Sequence, residues 1–106
     1  MHDLHEALKE LNEFFSKLKQ LNNSTLNLLE SIESRLLDKE YLVSIRPELG
    51  HSYKETCRLR NDWKDYCNKW NYLMDEGIKT KFSITNKRLK DLKDLIARVL
   101  RLVLTN

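Results

Sequence analysis

Residues that form turns and end helices are nearly absent from this chain, since its 106 residues include only two glycines and one proline. All-β folds need a glycine or proline turn signal about every ten residues, so this composition excludes them. The length fits one domain. Hydrophobic residues make up 41% of the positions and the net charge is only +3, which argues against disorder. The sequence therefore predicts a single all-α domain over residues 1–106.

Apolar residues near the N-terminus recur at alternating intervals of four and three, the heptad pattern of a helix packed against another helix. They are Leu4, Leu8, Leu11, Phe15, Leu18, Leu29, Ile32 and Leu36. The intervening run 22–25, Asn-Asn-Ser-Thr, consists of poor helix formers and could be a turn in which Ser24 caps a second helix. The heptad register continues unshifted across this run, however, which favours one long helix over residues 3–39.

Pro47 and Gly50 interrupt the helical pattern within residues 40–51. Proline disfavours the helical conformation of the residue before it, and glycine is a second helix breaker, so we predict a loop here. This segment is unusually apolar for a loop. We therefore expect part of it to form a docking surface, at Tyr41, Leu42 and Ile45.

A second helix is predicted over residues 52–76, because Ser52 begins a capping box. Its heptad positions are rich in aromatic residues. Trp63 and Trp70 fall on the same apolar face as the neighbouring leucines, so we expect both to be buried. Gly77 either ends this helix or is a weak point in one continuous helix.

A third helix is predicted over residues 83–104, with an apolar arc that covers more than half of its circumference near the C-terminus. Leu95, Leu102 and Leu104 widen this arc beyond one heptad stripe. A helix with so wide an apolar arc must be covered on more than one side. The predicted fold is therefore an elongated antiparallel helical bundle, either of three long helices or of a long helical hairpin with coiled-coil packing that pairs with a copy of itself.

Basic residues are concentrated on the polar face of the third predicted helix, at Lys87, Lys90, Arg98 and Arg101. A basic amphipathic helix can bind nucleic acid or an anionic membrane surface. The same residues can instead form the solvated outer side of a bundle helix. In that case they complement residues 1–50, which hold six basic against nine acidic side chains.

The sequence predicts no catalytic, cofactor or metal site. Cys57 and Cys67 are about 15 Å apart if they lie on one helix, too far for a disulfide, and neither has a histidine within a helical turn. His2 and His5 lack the converging ligands that a metal needs. No secretory signal follows Met1 and no long apolar run is present, so we expect an intracellular protein in the cytoplasm or nucleus.

We expect the chain to be a non-enzymatic protein–protein interaction module, a scaffold or a subunit of a larger complex that forms homo- or hetero-oligomers by helix packing. The predicted partner interface comprises Tyr41, Leu42, Ile45, Tyr72, Leu95, Leu102 and Leu104. The alternative prediction is a basic domain that binds nucleic acid or an anionic membrane surface through its third helix.

Overall fold

Three long α-helices form an elongated bundle of 55 × 20 × 17 Å in the computed structural model, which describes residues 2–105. The helices are α1 (His2–Ser34), α2 (Lys39–Lys69) and α3 (Glu76–Thr105), and Asn71–Leu73 add one 3₁₀ turn. Successive helices run antiparallel, so α1 and α3 are parallel. The predicted all-α, elongated antiparallel bundle is confirmed in its three-helix form. Met1 and Asn106, which the predicted domain includes, lie outside the described residues.

α1 continues through residues 22–25, as the unbroken heptad register predicted. The Ser24 hydroxyl donates a hydrogen bond to the Leu21 carbonyl at 3.1 Å, and Thr25 is fully buried. The Ser24 hydrogen bond lies within α1 itself, so it is the burial of Leu21, Thr25 and Leu28 on one side of the helix that keeps these poor helix formers helical. α1 ends at Ser34, five residues earlier than predicted.

The turn between α1 and α2 ends with Asp38, whose carboxylate accepts a hydrogen bond from the Tyr41 backbone N–H at 3.1 Å. An aspartate in this position is a strong helix cap, and α2 accordingly begins at Lys39. The predictions of a loop over residues 40–51 and of a helix start at Ser52 are both wrong. Ser52 is buried inside α2.

Pro47 lies inside α2 because the burial of nearby side chains outweighs its cost. Proline in a helix interior costs about 3 kcal/mol relative to alanine. Three aliphatic side chains of the predicted loop are buried in the core instead, and full burial contributes about 1.5 to 3 kcal/mol for each. They are Leu42, Ile45 and Leu49, which are 2%, 6% and 0% exposed.

The connection between α2 and α3 spans residues 70–75, so the second predicted helix ended seven residues too late and the third began seven residues too late. Gly77 lies in the first turn of α3 and does not break a helix. The Asp75 carboxylate accepts a hydrogen bond from the Ile78 backbone N–H at 2.8 Å. Asp75 and Glu76, which are unfavourable at the end of a helix, thus stabilise the start of the next one.

The core consists of two apolar clusters, one in each half of the bundle. One cluster contains Leu28, Ile32, Leu42, Ile45, Leu49, Ile96 and Val103, and the other contains Phe14, Leu21, Leu59, Trp63 and Leu89. Leu92 packs against both clusters. Between the clusters along α1 and α2 lies a polar layer of three buried side chains, Thr25, Ser52 and Thr56.

Trp63 joins all three helices and is only 1% exposed. The centroid of its ring lies 4.6 Å from that of Phe14 on α1 and 4.6 Å from that of Phe82 on α3. Its indole N–H donates a hydrogen bond to the Phe82 carbonyl at 3.1 Å. Trp70 is 4% exposed, so the predicted burial of both tryptophans is confirmed.

Replacing Pro47 or Gly50 by alanine tests whether residues 40–51 are helical in solution. Pro47→Ala restores a backbone N–H for a helical hydrogen bond to the Val43 carbonyl. A methyl group at Gly50 meets no atom within 4 Å. We expect Gly50→Ala to raise the free energy of unfolding by about 0.8 to 1.0 kcal/mol, and Pro47→Ala by up to about 3 kcal/mol. Urea denaturation followed by circular dichroism measures both changes, and a decrease in both variants would indicate a loop.

Candidate protein interface on α1 and α3

α1 carries two apolar stripes side by side. The buried stripe repeats every seven residues, at Ala7, Phe14, Leu21 and Leu28. The second stripe borders it and is 41% to 55% exposed, and it consists of Leu4, Leu8, Phe15 and Leu26. Leu36, which is 58% exposed, continues this stripe in the turn after α1. The bundle therefore covers only part of the apolar arc of α1.

α3 also has an apolar arc that is wider than its neighbours cover, as the sequence predicted. Leu89, Ile96 and Val103 are buried at intervals of seven residues. Leu95 and Leu102 each lie one residue before a member of this buried stripe, and they are 39% and 63% exposed. Each of the two outer helices thus leaves apolar side chains exposed beside the core.

The exposed stripes of α1 and α3 meet on one side of the bundle, which we call the open face. α2 packs closely against both helices, whereas α1 and α3 approach each other at few residues. In the C-terminal halves of α1 and α3 the two stripes enclose an apolar groove of about 270 Å³. One wall, which we call the α1 wall, is Leu29 on α1 with Leu36 in the turn after it, and the other is Leu95 and Leu102 on α3. The floor includes Ile32 and Val103.

The α1 wall of the groove was not predicted as an interface. Leu29 and Leu36 belong to the heptad pattern of the sequence, which we assigned as a whole to helix packing inside the bundle. Glu33 also lines the groove, four residues after Leu29 and three before Leu36. A carboxylate between two leucines is the signal that could have separated this stripe from the core.

The α3 wall has the matching arrangement with the opposite charge. Arg98 is exposed and lies three residues after Leu95 and four before Leu102, so it flanks both leucines on the helix surface. Among the described residues, neither Glu33 nor Arg98 forms an ion pair. Glu33 therefore lines the groove on its α1 side, and Arg98 borders the leucines of its α3 side on the helix surface.

The predicted docking loop is helical, which corrects the assignment of its residues to an interface. Leu42 and Ile45 are buried in the core, because α2 already includes them. Tyr41 is half-buried, and its hydroxyl shares a hydrogen bond with the Ser31 hydroxyl at 2.5 Å. The Arg35 guanidinium lies 4.7 Å from the centroid of the Tyr41 ring. These contacts join α1 to α2 within the chain.

Two further predicted interface residues are exposed but lie outside the groove. Tyr72 is 65% exposed, and its hydroxyl donates a hydrogen bond to Asp3 Oδ2 at 2.8 Å, at the opposite end of the bundle. Leu104 is 54% exposed and does not line the groove. Of the predicted interface residues, the structure thus brings Leu42, Leu95 and Leu102 together at the groove, where Leu42 is buried and the two α3 leucines are exposed.

Glu10 joins α1 to the end of α2, in the half of the bundle that lacks the groove. Its carboxylate accepts hydrogen bonds from Lys69 Nζ at 2.8 Å and from Trp70 Nε1 at 2.7 Å. These two hydrogen bonds hold the pKa of Glu10 below its ordinary value. Nearby, the Tyr66 hydroxyl donates a hydrogen bond to the Ala7 carbonyl at 2.9 Å. No spacing or motif in the sequence indicated this cluster, because its members are about 60 residues apart.

The predicted basic surface is present on α3 but carries a negative charge in its middle. Lys87, Lys90, Arg98 and Arg101 are all exposed. Asp94 is also exposed and lies four residues after Lys90 and four before Arg98, on the same side of the helix. The stripe is therefore less uniformly basic than the four cations alone suggest.

α2 adds cations next to α3 that were not part of the predicted basic surface. The Arg46 guanidinium donates a hydrogen bond to the Val103 carbonyl at 3.2 Å. Lys64 on α2 and Lys79 on α3 line the same cavity, which has a volume of about 410 Å³. The side of the bundle formed by α2 and α3 is thus more basic than α3 alone.

The 410 Å³ cavity also contains Cys67, the one thiol among its described lining residues. Burial raises the pKa of the Cys67 thiol, which keeps it protonated near neutral pH and makes it a poor nucleophile. Within residues 2–105, no group of three or more His, Cys, Asp or Glu side chains could hold a metal ion.

Comparison with known protein families, characterised proteins and solved structures finds no significant match to this chain. None of the helices within residues 2–105 combines the length and the hydropathy that crossing a lipid bilayer requires. Any assignment of function therefore depends on the geometry described above.

The carboxylate of Glu10 makes stability depend on pH in a predictable direction. A group whose pKa is lowered by folding stabilises the fold above its unfolded pKa, and this contribution is lost as pH falls through its folded pKa. Glu10→Gln keeps an acceptor for Trp70 but removes the charge. We therefore expect the wild type to lose more of its free energy of unfolding than Glu10→Gln between about pH 7 and pH 3, the range in which glutamate titrates.

Urea denaturation at a series of pH values measures this difference between the wild type and Glu10→Gln. Glu13→Gln is the matched control, since Glu13 is exposed on the same helix and forms no ion pair among the described residues. Parallel pH profiles for the wild type and Glu10→Gln would contradict the proposed role of the Glu10 carboxylate.

Proposed function

We propose that this chain is a non-enzymatic assembly module that binds a protein partner by helix packing on its open face. The observation that carries this proposal is the apolar groove between α1 and α3. Three of its wall leucines, Leu36, Leu95 and Leu102, are 39% to 63% exposed. An amphipathic helix that docks in such a groove buries apolar side chains at intervals of three and four residues. The lining of the groove has those intervals on both sides, at Leu29, Ile32 and Leu36 and at Leu95, Val99 and Leu102.

The energy available from docking is enough for a specific complex. Full burial of a leucine contributes about 1.5 to 3 kcal/mol, and about half of each exposed leucine of the open face remains to be buried. Each leucine thus adds about 1 kcal/mol on docking. Several such side chains, together with the charges of Glu33 and Arg98 for orientation, support an assembly interface rather than incidental exposure.

Leu95→Lys tests this function, because it places a charge in the wall of the groove. We expect the full chain, immobilised and exposed to a cell extract, to lose its protein partners about tenfold or more when Leu95 is replaced. Quantitative mass spectrometry of the captured proteins measures this loss. Val43→Lys is the matched control, since Val43 is 54% exposed on α2 and lies outside the open face.

Circular dichroism must show the same helix content for both lysine variants, so that a loss of capture reports on the surface and not on folding. If the wild type, Leu95→Lys and Val43→Lys capture the same proteins in the same amounts, the open face is not the interface. In that case the proposed function is wrong.

The alternative function is the binding of nucleic acid or an anionic membrane surface through α3. The observation that favours it is the addition of Arg46 and Lys64 on α2 to the cations of α3, which enlarges the basic side of the bundle. Asp94 weighs against it. Apolar docking on the open face remains the better-supported proposal. The exposed leucines have no role in binding a phosphate backbone, and a membrane surface that received them would also receive Glu33, whose charge an anionic surface repels.

Salt dependence separates the alternative from helix packing. Several contacts to phosphate groups weaken binding by about 10³-fold or more between about 50 and 200 mM salt. Fluorescence anisotropy with a short DNA duplex and co-sedimentation with phosphatidylserine vesicles measure this. Lys90→Glu should weaken binding further, whereas Lys9→Glu on α1 is the control. Undetectable binding, or an affinity that barely changes with salt, would contradict the alternative.

A further inference from the structure

We propose that the partner on the open face is a second copy of this chain, related to the first by a two-fold axis that runs along the bundle. This inference rests on the proposed function, and it names the occupant of the groove. In this arrangement α1 of each copy packs against α3 of the other. Both walls of each groove are then covered, and the four leucine walls of the two copies form one continuous apolar interface.

The two walls of the groove are complementary to each other in charge, which is what a two-fold interface requires. In such an interface the same patch is used twice, so each feature of the patch must find its complement within the same patch. Glu33 lies between the leucines of the α1 wall and Arg98 between those of the α3 wall. A second copy therefore offers Arg98 to Glu33 and Glu33 to Arg98.

The charges of the whole helices favour the same pairing. α1 carries six acidic and three basic side chains, whereas α3 carries three acidic and eight basic ones. Packing α1 on α3 of the second copy brings opposite charges together. A two-fold axis across the bundle would instead pack α1 on α1 and α3 on α3, which places like charges together and is disfavoured.

The direction of the helices also fits an axis along the bundle. α1 and α3 are parallel, and the leucines on either side of Glu33 line the same groove as the leucines on either side of Arg98, which puts the two charges at a similar level along the bundle. Rotation about an axis along the bundle keeps these charges at the same level, so Glu33 of one copy meets Arg98 of the other. The dimensions of the bundle, 55 Å by 20 Å, give a face larger than the roughly 800 Å² that each partner buries in a standard-size interface.

Charge reversal and mixing test this arrangement on the full chain. Sedimentation velocity between about 1 and 100 μM should detect a wild-type dimer, a range that covers typical reversible association. Each single variant, Glu33→Arg or Arg98→Glu, places like charges together at both of the symmetry-related contacts between residues 33 and 98. Each variant should therefore dimerise about tenfold or more weakly than the wild type.

A mixture of the two variants should restore dimerisation, because the Glu33→Arg chain then meets the Arg98→Glu chain with opposite charges at both positions. Native mass spectrometry of the mixture, with one variant labelled with ¹⁵N, should show mainly the mixed dimer. Both residues are exposed and neither forms an ion pair among the described residues, so the fold of each variant should be unchanged by circular dichroism.

Three results would overturn the inference. A wild-type chain that stays monomeric at about 100 μM, well above micromolar affinities, has no second copy on its open face. A dimer that persists in Leu95→Lys uses another surface. Mixed variants that show no preference for the mixed dimer do not pair Glu33 with Arg98.

Failure of the inference is distinguishable from failure of the proposed function. A monomeric chain that still captures proteins in a Leu95-dependent way retains the assembly function with a different partner. A monomeric chain whose captured proteins do not change in Leu95→Lys loses both. Both are supported if the wild-type dimer is lost in Leu95→Lys and if, separately, the mixture of the two charge variants forms the mixed dimer.

Discussion

The bundle depends on a single helix, α2, that packs closely against both of its neighbours, and on Trp63 within it. The Trp63 ring contacts Phe14 and Phe82, and its indole N–H is bonded to the backbone of α3, so one buried side chain fixes the positions of all three helices. Because α1 and α3 both pack on α2 and approach each other little, neither covers the other. The exposed leucines of the open face are the direct result of this arrangement.

Much of the fold could be predicted from periodicity, because heptad spacing reports which residues share one side of a helix. Spacing alone does not say which of two adjacent stripes is buried. In α1 the pattern that begins at Leu4 contains the larger side chains, yet the buried stripe begins at the small residue Ala7. The helix bounds failed at Pro47, where local propensity was outweighed by burial against residues distant in the sequence. Asp38 and Asp75 were the local signals that could have corrected those bounds.

The candidate interface was predicted only on its α3 side. Leu95 and Leu102 were predicted as interface residues and Arg98 as part of the basic surface, whereas Leu29 and Leu36 were assigned to helix packing and Glu33 was not singled out. Their role depends on which helices fail to cover one another, and this is a property of the tertiary arrangement. The Glu10 cluster was missed for the same reason, since its partners Lys69 and Trp70 are 59 and 60 residues away in the chain.

The polar layer of Thr25, Ser52 and Thr56 divides the bundle into two regions that are held together in different ways. Most of the hydrogen bonds that join separate elements lie in the aromatic region around Trp63, whereas the other region is held mainly by aliphatic contacts. That region contains the groove, so the groove is continuous with an aliphatic cluster of the core. A partner that docked there would extend the same apolar packing outwards. If it bound only the folded chain, it would also stabilise the fold, and assembly and folding would then be thermodynamically linked.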